Sequence, residues 1–175
     1  MSERTVASDR PWEGRLISVR VDEVELHDGR RTKREIVEHP GAVAILPWDG
    51  ARLAMVRQWR HPAERSLLEI PAGTLEPDEE PLATARRELA EECALAAGRW
   101  EEGPRFYTAP GFCTELMHLY LATDLTVAES VGPADEQIER TWLSLDVALA
   151  AIERGEVADA KSIAGMLWLA RRLGR

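Results

Sequence analysis

Ile17, Val19 and Val21 alternate with charged or polar neighbours in the run RLISVRVDEVEL, the two-residue period of a strand with one buried face. Asp28-Gly29 then supplies a turn pair, and RTKREIVEH runs back as the partner strand. The first dozen residues are polar and carry Pro11, which predicts a loose start before this hairpin. A lone hairpin is marginal, so this one must pack on its own domain or on a second chain. Pro40-Gly41 ends the portion, and from residue 42 the apolar runs become fuller. AVAILP and ARLAMVRQWR, joined by a Trp-Asp-Gly turn, predict a second hairpin made of central strands. SLLEIPAG predicts a brief apolar strand stopping at Gly73. From Pro81 to Ala97 the period changes to that of a helix, with Leu82, Ala85, Leu89, Cys93 and Ala96 three and four apart and Pro81 in the first turn. RWEEGPRFYTAPG, MHLYLATDL and QIERTWLSL predict further strands, and LDVALAAIERG and KSIAGMLWLARRL two closing helices. Antiparallel pairs around one central helix predict an α/β sandwich rather than a Rossmann sheet. Neither G-x-G-x-x-G nor G-x-x-x-x-G-K-[ST] occurs.

Composition narrows the class. At 175 residues the chain suits one domain with a small appendage. Thirty-one acidic against 22 basic side chains leave a formal charge of −9, which argues against unspecific nucleic-acid binding. No apolar run approaches the roughly 18 residues of a membrane span, and the N-terminus has no apolar signal core, so a cytoplasmic protein is expected. Cys93 and Cys113 make neither a disulfide framework nor zinc-type spacing, and both are expected to be inert fillers. The four histidines are scattered without H-x-x-x-H, so none is a metal-ligand candidate.

The chemistry concentrates in GTLEPDEEPLATARRELAEECAL, residues 73–95. Glu88, Glu91 and Glu92 stand at i, i+3 and i+4, and at about 100° per residue their carboxylates project within one arc of a helix. Ionised carboxylates this close repel one another unless a cation intervenes. Hard ions such as Mg²⁺ or Mn²⁺ take oxygen ligands of this kind, usually together with phosphate oxygens. Glu79, in the loop or first turn, is placed to pair with Arg87. Taken alone, E-x-x-E-E is more often a solvated helix face, and the flanking residues change those odds.

The segment resembles the Nudix box, G-x5-E-x7-R-E-U-x-E-E-x-G-U, where U is bulky and aliphatic. Gly73, Glu79, Arg87, Glu88, Leu89, Glu91, Glu92 and Leu95 match in register, and the single departure is Ala94 in place of glycine. Glycine there eases a left-handed helix exit, so the substitution bears on the loop more than on the carboxylates. The resemblance implies a Nudix-type α/β/α sandwich with a mixed sheet over residues 42–175, preceded by a small N-terminal antiparallel β hairpin or sheet over residues 1–41. It implies hydrolysis of a nucleoside diphosphate linked to another group, with Mg²⁺ (or Mn²⁺ or another divalent ion) as cofactor. Glu88 and Glu92 would be the principal metal ligands and Glu91 a ligand or base. The backbone carbonyl of Ala72 would add a further ligand, while Gly73, Glu79 and Arg87 would be structural. Such an ion would neutralise pyrophosphate oxygens and lower the pKa of a water, whose proton a nearby carboxylate takes.

Outside the box, REIVEHPGAVAILP, VRQWRHP, LLEIPAG, APGFCTELMHLYLA and DEQIERTWLSLDVAL look like the ADP-ribose pyrophosphatase branch of that family. Pro110, 15 residues beyond Leu95, fits the branch. This likeness implies attack of a metal-activated water on ADP-ribose, yielding AMP and ribose 5-phosphate. Arg34 and Arg60 match arginines that contact substrate phosphate or ribose, with Arg57 an alternative to Arg60, and Glu115 matches a glutamate near the terminal ribose. In the acidic loop ADEQIE, Glu136 is the expected catalytic base, with Asp135, Glu139 and Glu91 as alternatives. Members of the branch form homodimers in which the N-terminal sheet crosses to the partner, so Trp12 or a hairpin residue would flank the base. Another nucleotide sugar, a dinucleoside polyphosphate or a damaged nucleotide is the rival substrate. A non-catalytic nucleotide sensor fits less well, because every box carboxylate is present.

Overall fold

The computed structural model describes residues 2–129 and 138–175, which fall into two compact units: residues 1–41 with 106–116, and residues 42–105 with 117–175.

In the first unit, β1 (Arg4–Glu13), β2 (Ser18–Glu25) and β3 (Arg31–Glu38) form an antiparallel sheet in that order. The expected β2–β3 hairpin turns through Gly29 at φ 81°. The expected loose start is instead strand β1. It has no apolar alternation to announce it, because polar cross-strand pairs hold it: Arg4 to Glu25 at 3.0 Å, Ser8 to Asp22 at 2.6 Å, and Arg10 beside Glu38 at 2.7 Å. Pro11 falls in the register shift between Asp9 and Trp12, where a missing N–H costs the ladder nothing.

The second unit carries two sheets. One has the order β10 (Glu139–Ser144), β5 (Arg52–Arg60), β6 (Arg65–Glu69). The other is mixed, in the order β7 (Ala72–Thr74), β4 (Ala42–Pro47), β9 (Leu116–Val127), β8 (Leu95–Tyr107), with β4 and β9 parallel. The three helices are α1 (Pro81–Cys93), α2 (Leu145–Glu153) and α3 (Ala160–Arg172). Every residue of β4 is buried, and its period-two alternation sends successive side chains to opposite covers. Val43 and Ile45 join Ala85, Leu89 and Cys93 of α1 in one apolar cluster with Ala54, Val56, Tyr120 and Ala122. Leu46 and Leu119 instead meet α3 at Gly165, where a Cβ would come within 3.4 Å and 3.2 Å of them. Helices on both sides of the mixed sheet make the α/β/α arrangement expected.

Three further expectations change. The β4–β5 hairpin does not form a ladder: β4 gives its two edges to β7 and β9, β5 gives its own to β6 and β10, and only Trp48 bridges Leu53. SLLEIPAG is two strands, not one. Pro71 interrupts it, its carbonyl accepting from Ile45 N–H at 2.8 Å, so β6 stays with β5 and β7 moves to β4. The central helix stops at Cys93 rather than Ala97, because Ala94 turns left-handed (φ 50°, ψ 42°) and Leu95 opens β8.

Ala94 occupies the position where the box pattern has glycine, and it adopts the conformation glycine favours. A left-handed L-residue costs roughly 1–2 kcal/mol, and the extra unfolded-state entropy of glycine returns about half of that. Ala94→Gly is therefore expected to raise stability by about 0.5–1 kcal/mol, or some 1–4 °C in Tm for a chain of this size. Thermal unfolding followed by circular dichroism checks it, and an unchanged or lower Tm contradicts the strain.

Candidate active site

The box loop runs from β7 into α1, whose first turn is set by Pro81 and whose apolar arc is buried in the sandwich. That burial leaves the Glu88, Glu91 and Glu92 arc to face away from the cluster. Arg87 gathers the acids around itself: Nε and Nη2 reach Glu79 Oε1 and Oε2 at 3.2 and 3.0 Å, while Nη1 reaches Glu88 Oε1 at 2.6 Å and Glu91 Oε2 at 3.0 Å. The hydrogen-bonded Glu79 carboxylate holds the Arg87 pKa well above its usual value, and Arg87 in turn holds Glu79 below the ordinary carboxylate range. Glu92 Oε2 accepts the Ala72 N–H at 2.9 Å, tying α1 to β7. Gly73 lies against Glu88: a Cβ there would stand 2.0 Å from the carboxylate carbon, so only glycine leaves that side chain its place.

This donor set suits a hard divalent cation. Three carboxylates of one helix, a backbone loop tied to one of them and a glycine that clears space for another are oxygen-ligand chemistry. Arg87 supplies the countercharge in the arrangement seen, and among the described residues no three acidic, histidine or cysteine side chains converge on one point. Glu88, Glu91 and Glu92, with the Ala72 carbonyl, are the groups that would hold the ion.

Behind the loop lies a buried charge cluster that the sequence did not reveal. Glu69, 1% exposed at the end of β6, accepts Arg60 Nε at 2.8 Å and Nη2 at 2.7 Å, and also Lys161 Nζ. Lys161 reaches Asp159 Oδ2 at 2.9 Å. Burial pushes the Glu69 carboxyl up, but the Arg60 hydrogen bonds and the Lys161 charge outweigh it and leave the group below its usual value. The signal lay in the one charge inside LLEIPAG and in Lys161, one of only two lysines in an arginine-rich chain.

In the first unit, Glu115 accepts from Thr108 Oγ1 at 2.6 Å and lies 3.7 Å from His39 Nε2. Gly41 N–H donates to His39 Nδ1 at 3.0 Å, which leaves Nε2 as the protonated nitrogen of the neutral ring. Arg34 forms a bidentate pair with Glu3 at 3.0 and 2.6 Å. Arg57 is exposed on β5 opposite Glu139, the first residue of β10. Asp135 and Glu136 lie outside the described residues. Burial pushes the Cys93 thiol up to about 12, so it is no nucleophile at neutral pH. Cys113 bridges Val37 through its backbone.

Comparison with known proteins decides the family: the NUDIX domain matches residues 37–165. The chain belongs to the Nudix hydrolase family. It is 43% identical over 172 residues to an ADP-ribose pyrophosphatase of Bacillus subtilis (strain 168), covering 97% of this chain and 93% of that one. It is 40% identical over 170 residues to a methanol dehydrogenase activator of Bacillus methanolicus, with 95% and 92% covered. The crystal structure of an ADP compounds hydrolase superposes with a TM-score of 0.88 over 99% of this chain and 95% of that chain, at 21% identity, which speaks for the shared fold. Nudix hydrolases generally use divalent metal ions, in keeping with the donor set described. No helix among the described residues is long and apolar enough to cross a membrane.

Proposed function

We propose that the protein is a Mg²⁺-dependent ADP-ribose pyrophosphatase that forms AMP and ribose 5-phosphate. The observation that carries the reading is the complete box carboxylate set, with Glu88 and Glu91 held by Arg87, Glu88 against Gly73, and Glu92 held by the Ala72 N–H. Full-length similarity to the Bacillus subtilis ADP-ribose pyrophosphatase supports the substrate. A divalent ion bound there would neutralise phosphate oxygens and acidify the attacking water. Glu88 and Glu92 orient that site, Arg87 holds their helix to the box loop through Glu79, and Arg60 presents guanidinium donors to phosphate. Glu136 takes the proton of the attacking water. In the first unit, Arg34 contacts substrate phosphate or ribose and Glu115, oriented by Thr108 and His39, accepts from the terminal ribose. Two copies pair through the N-terminal sheet of residues 1–41, whose Trp12 and Leu16 are 52% and 54% exposed.

The test is AMP release from ADP-ribose with Mg²⁺, read beside Glu136→Gln, with light scattering to count the chains. Expected are turnover by a dimer and a loss on the order of 10²–10⁴ in kcat for the variant. No AMP with either Mg²⁺ or Mn²⁺ refutes the substrate, full activity in Glu136→Gln moves the base to another acid, and a monomer mass refutes the pairing.

A further inference from the structure

The charge cluster of Arg60, Glu69, Lys161 and Asp159 is built with more care than packing requires. Its two cations and two anions cancel. Lys161 and Asp159 are 11% and 17% exposed at their side chains, and Glu69 is 1% exposed. Replacing a buried ion pair by apolar side chains of similar volume is often neutral or stabilising, so stability alone is a weak reason for this cluster, and the geometry it fixes is the other. Each member here is held from another side. Asp159 is the N-cap of α3, accepting from Ser162 N–H at 3.0 Å, and Ser162 Oγ accepts the Ile70 N–H at 2.9 Å. Two residues further on, Ala72 N–H holds Glu92. The stretch from Glu69 to Ala72 is thus tied to α3 at its start and to α1 at its end.

Glu69 occupies the Nε–Nη2 edge of Arg60, and no described residue takes Nη1 of that guanidinium, which is 38% exposed at its side chain. The Glu69 hydrogen bonds do most to raise the Arg60 pKa, and the negative charges of Glu92 and Asp159 add to it, so Arg60 and Glu92 lie within reach of each other's fields. An arginine clasped on one edge and open on the other is a donor aimed in one direction, as phosphate recognition needs.

We propose that Lys161 is a positioning residue for substrate phosphate: it pins Glu69, Glu69 clasps Arg60, and Arg60 thereby presents its remaining N–H donors to the pyrophosphate beside Glu92. The inference rests on the pyrophosphatase reading above and goes beyond it, since Lys161 and Glu69 themselves touch no substrate.

The test is a double-mutant cycle of Lys161→Met and Arg60→Ala, with Lys161→Arg as the conservative variant. KM and kcat for ADP-ribose are read together with the calorimetric Kd for ADP and the Tm. Lys161→Met is expected to raise KM and the ADP Kd by about 5- to 20-fold with kcat changed less than about 3-fold. Lys161→Arg is expected to restore most of both. In the Arg60→Ala background the same Lys161→Met change is expected to add less than about 2-fold, because its intermediary is gone. Multiplicative effects of the two changes, or a lowered Tm with unaltered ADP affinity, overturn the inference and reduce Lys161 to an anchor of α3. Should Lys161→Met not fold, Lys161→Gln carries the same comparison. A wild type that binds ADP but leaves ADP-ribose intact refutes the substrate reading, and the ADP Kd values alone then decide the role of Lys161. A wild type that does not bind ADP refutes both.

Discussion

Glu92→Gln is expected to lower ADP-ribose turnover on the order of 10³-fold while leaving the fold intact. The fold survives because the side-chain amide oxygen can still accept the Ala72 N–H that Glu92 Oε2 accepts at 2.9 Å. What disappears is one unit of negative charge at the end of the three-carboxylate arc. On the proposed reading that charge is part of what holds a divalent ion, and the ion supplies several kcal/mol of transition-state stabilisation. At 1.36 kcal/mol per tenfold, half of such a contribution already exceeds two decades in rate. The variant should show a Tm close to wild type and a metal requirement shifted to higher concentration. Titrating Mn²⁺ by its paramagnetic signal gives a readout independent of turnover. Activity within tenfold of wild type, or unchanged Mn²⁺ affinity, would remove Glu92 from the ligand set.

The site and the fold were legible to different degrees for a physical reason. The box is local: Gly73 through Leu95 is one loop and one helix, so spacing alone puts three carboxylates on one arc and the apolar residues on another. Helices α2 and α3 were equally plain, since a 3.6-residue period is carried within each segment. Strand partners are not carried that way. AVAILP and ARLAMVRQWR read as a hairpin because they are adjacent, yet each finds two other neighbours. The choice was made by β9, more than 60 residues further along and parallel to β4. Strand β1 escaped notice because charge pairs across the sheet hold it, and those are invisible until the register is known. The Glu69–Lys161 contact spans 92 residues. The lone acid in LLEIPAG and the rarity of lysine in the chain were its hints.

Glu69→Ala is expected to cost about 3–5 kcal/mol of stability, a large share of the 5–15 kcal/mol of a typical domain. The loss is not the value of the ion pairs. It is the penalty of leaving two cations, Lys161 at 11% exposed and the Arg60 guanidinium, with Asp159 on Lys161 as the remaining anion of the cluster. The same group gives the protein part of its acid sensitivity, and the sign follows from its pKa. In the folded chain Glu69 titrates below the ordinary 4.5, so the unfolded chain binds its proton first as pH falls. The stability it contributes is complete above pH 4.5 and drains away as pH drops through the lowered folded value. Glu79, held down by Arg87, acts in the same direction. Urea unfolding of wild type between about pH 7 and 3 should show a falling midpoint that begins near the ordinary carboxylate value. The Glu69→Ala curve should start lower and fall less steeply across that window, because one of the groups responsible has been removed. Parallel curves would place the acid sensitivity elsewhere, and a loss below about 1 kcal/mol at neutral pH would mean that water reaches Lys161 and Arg60 far more freely than their burial implies.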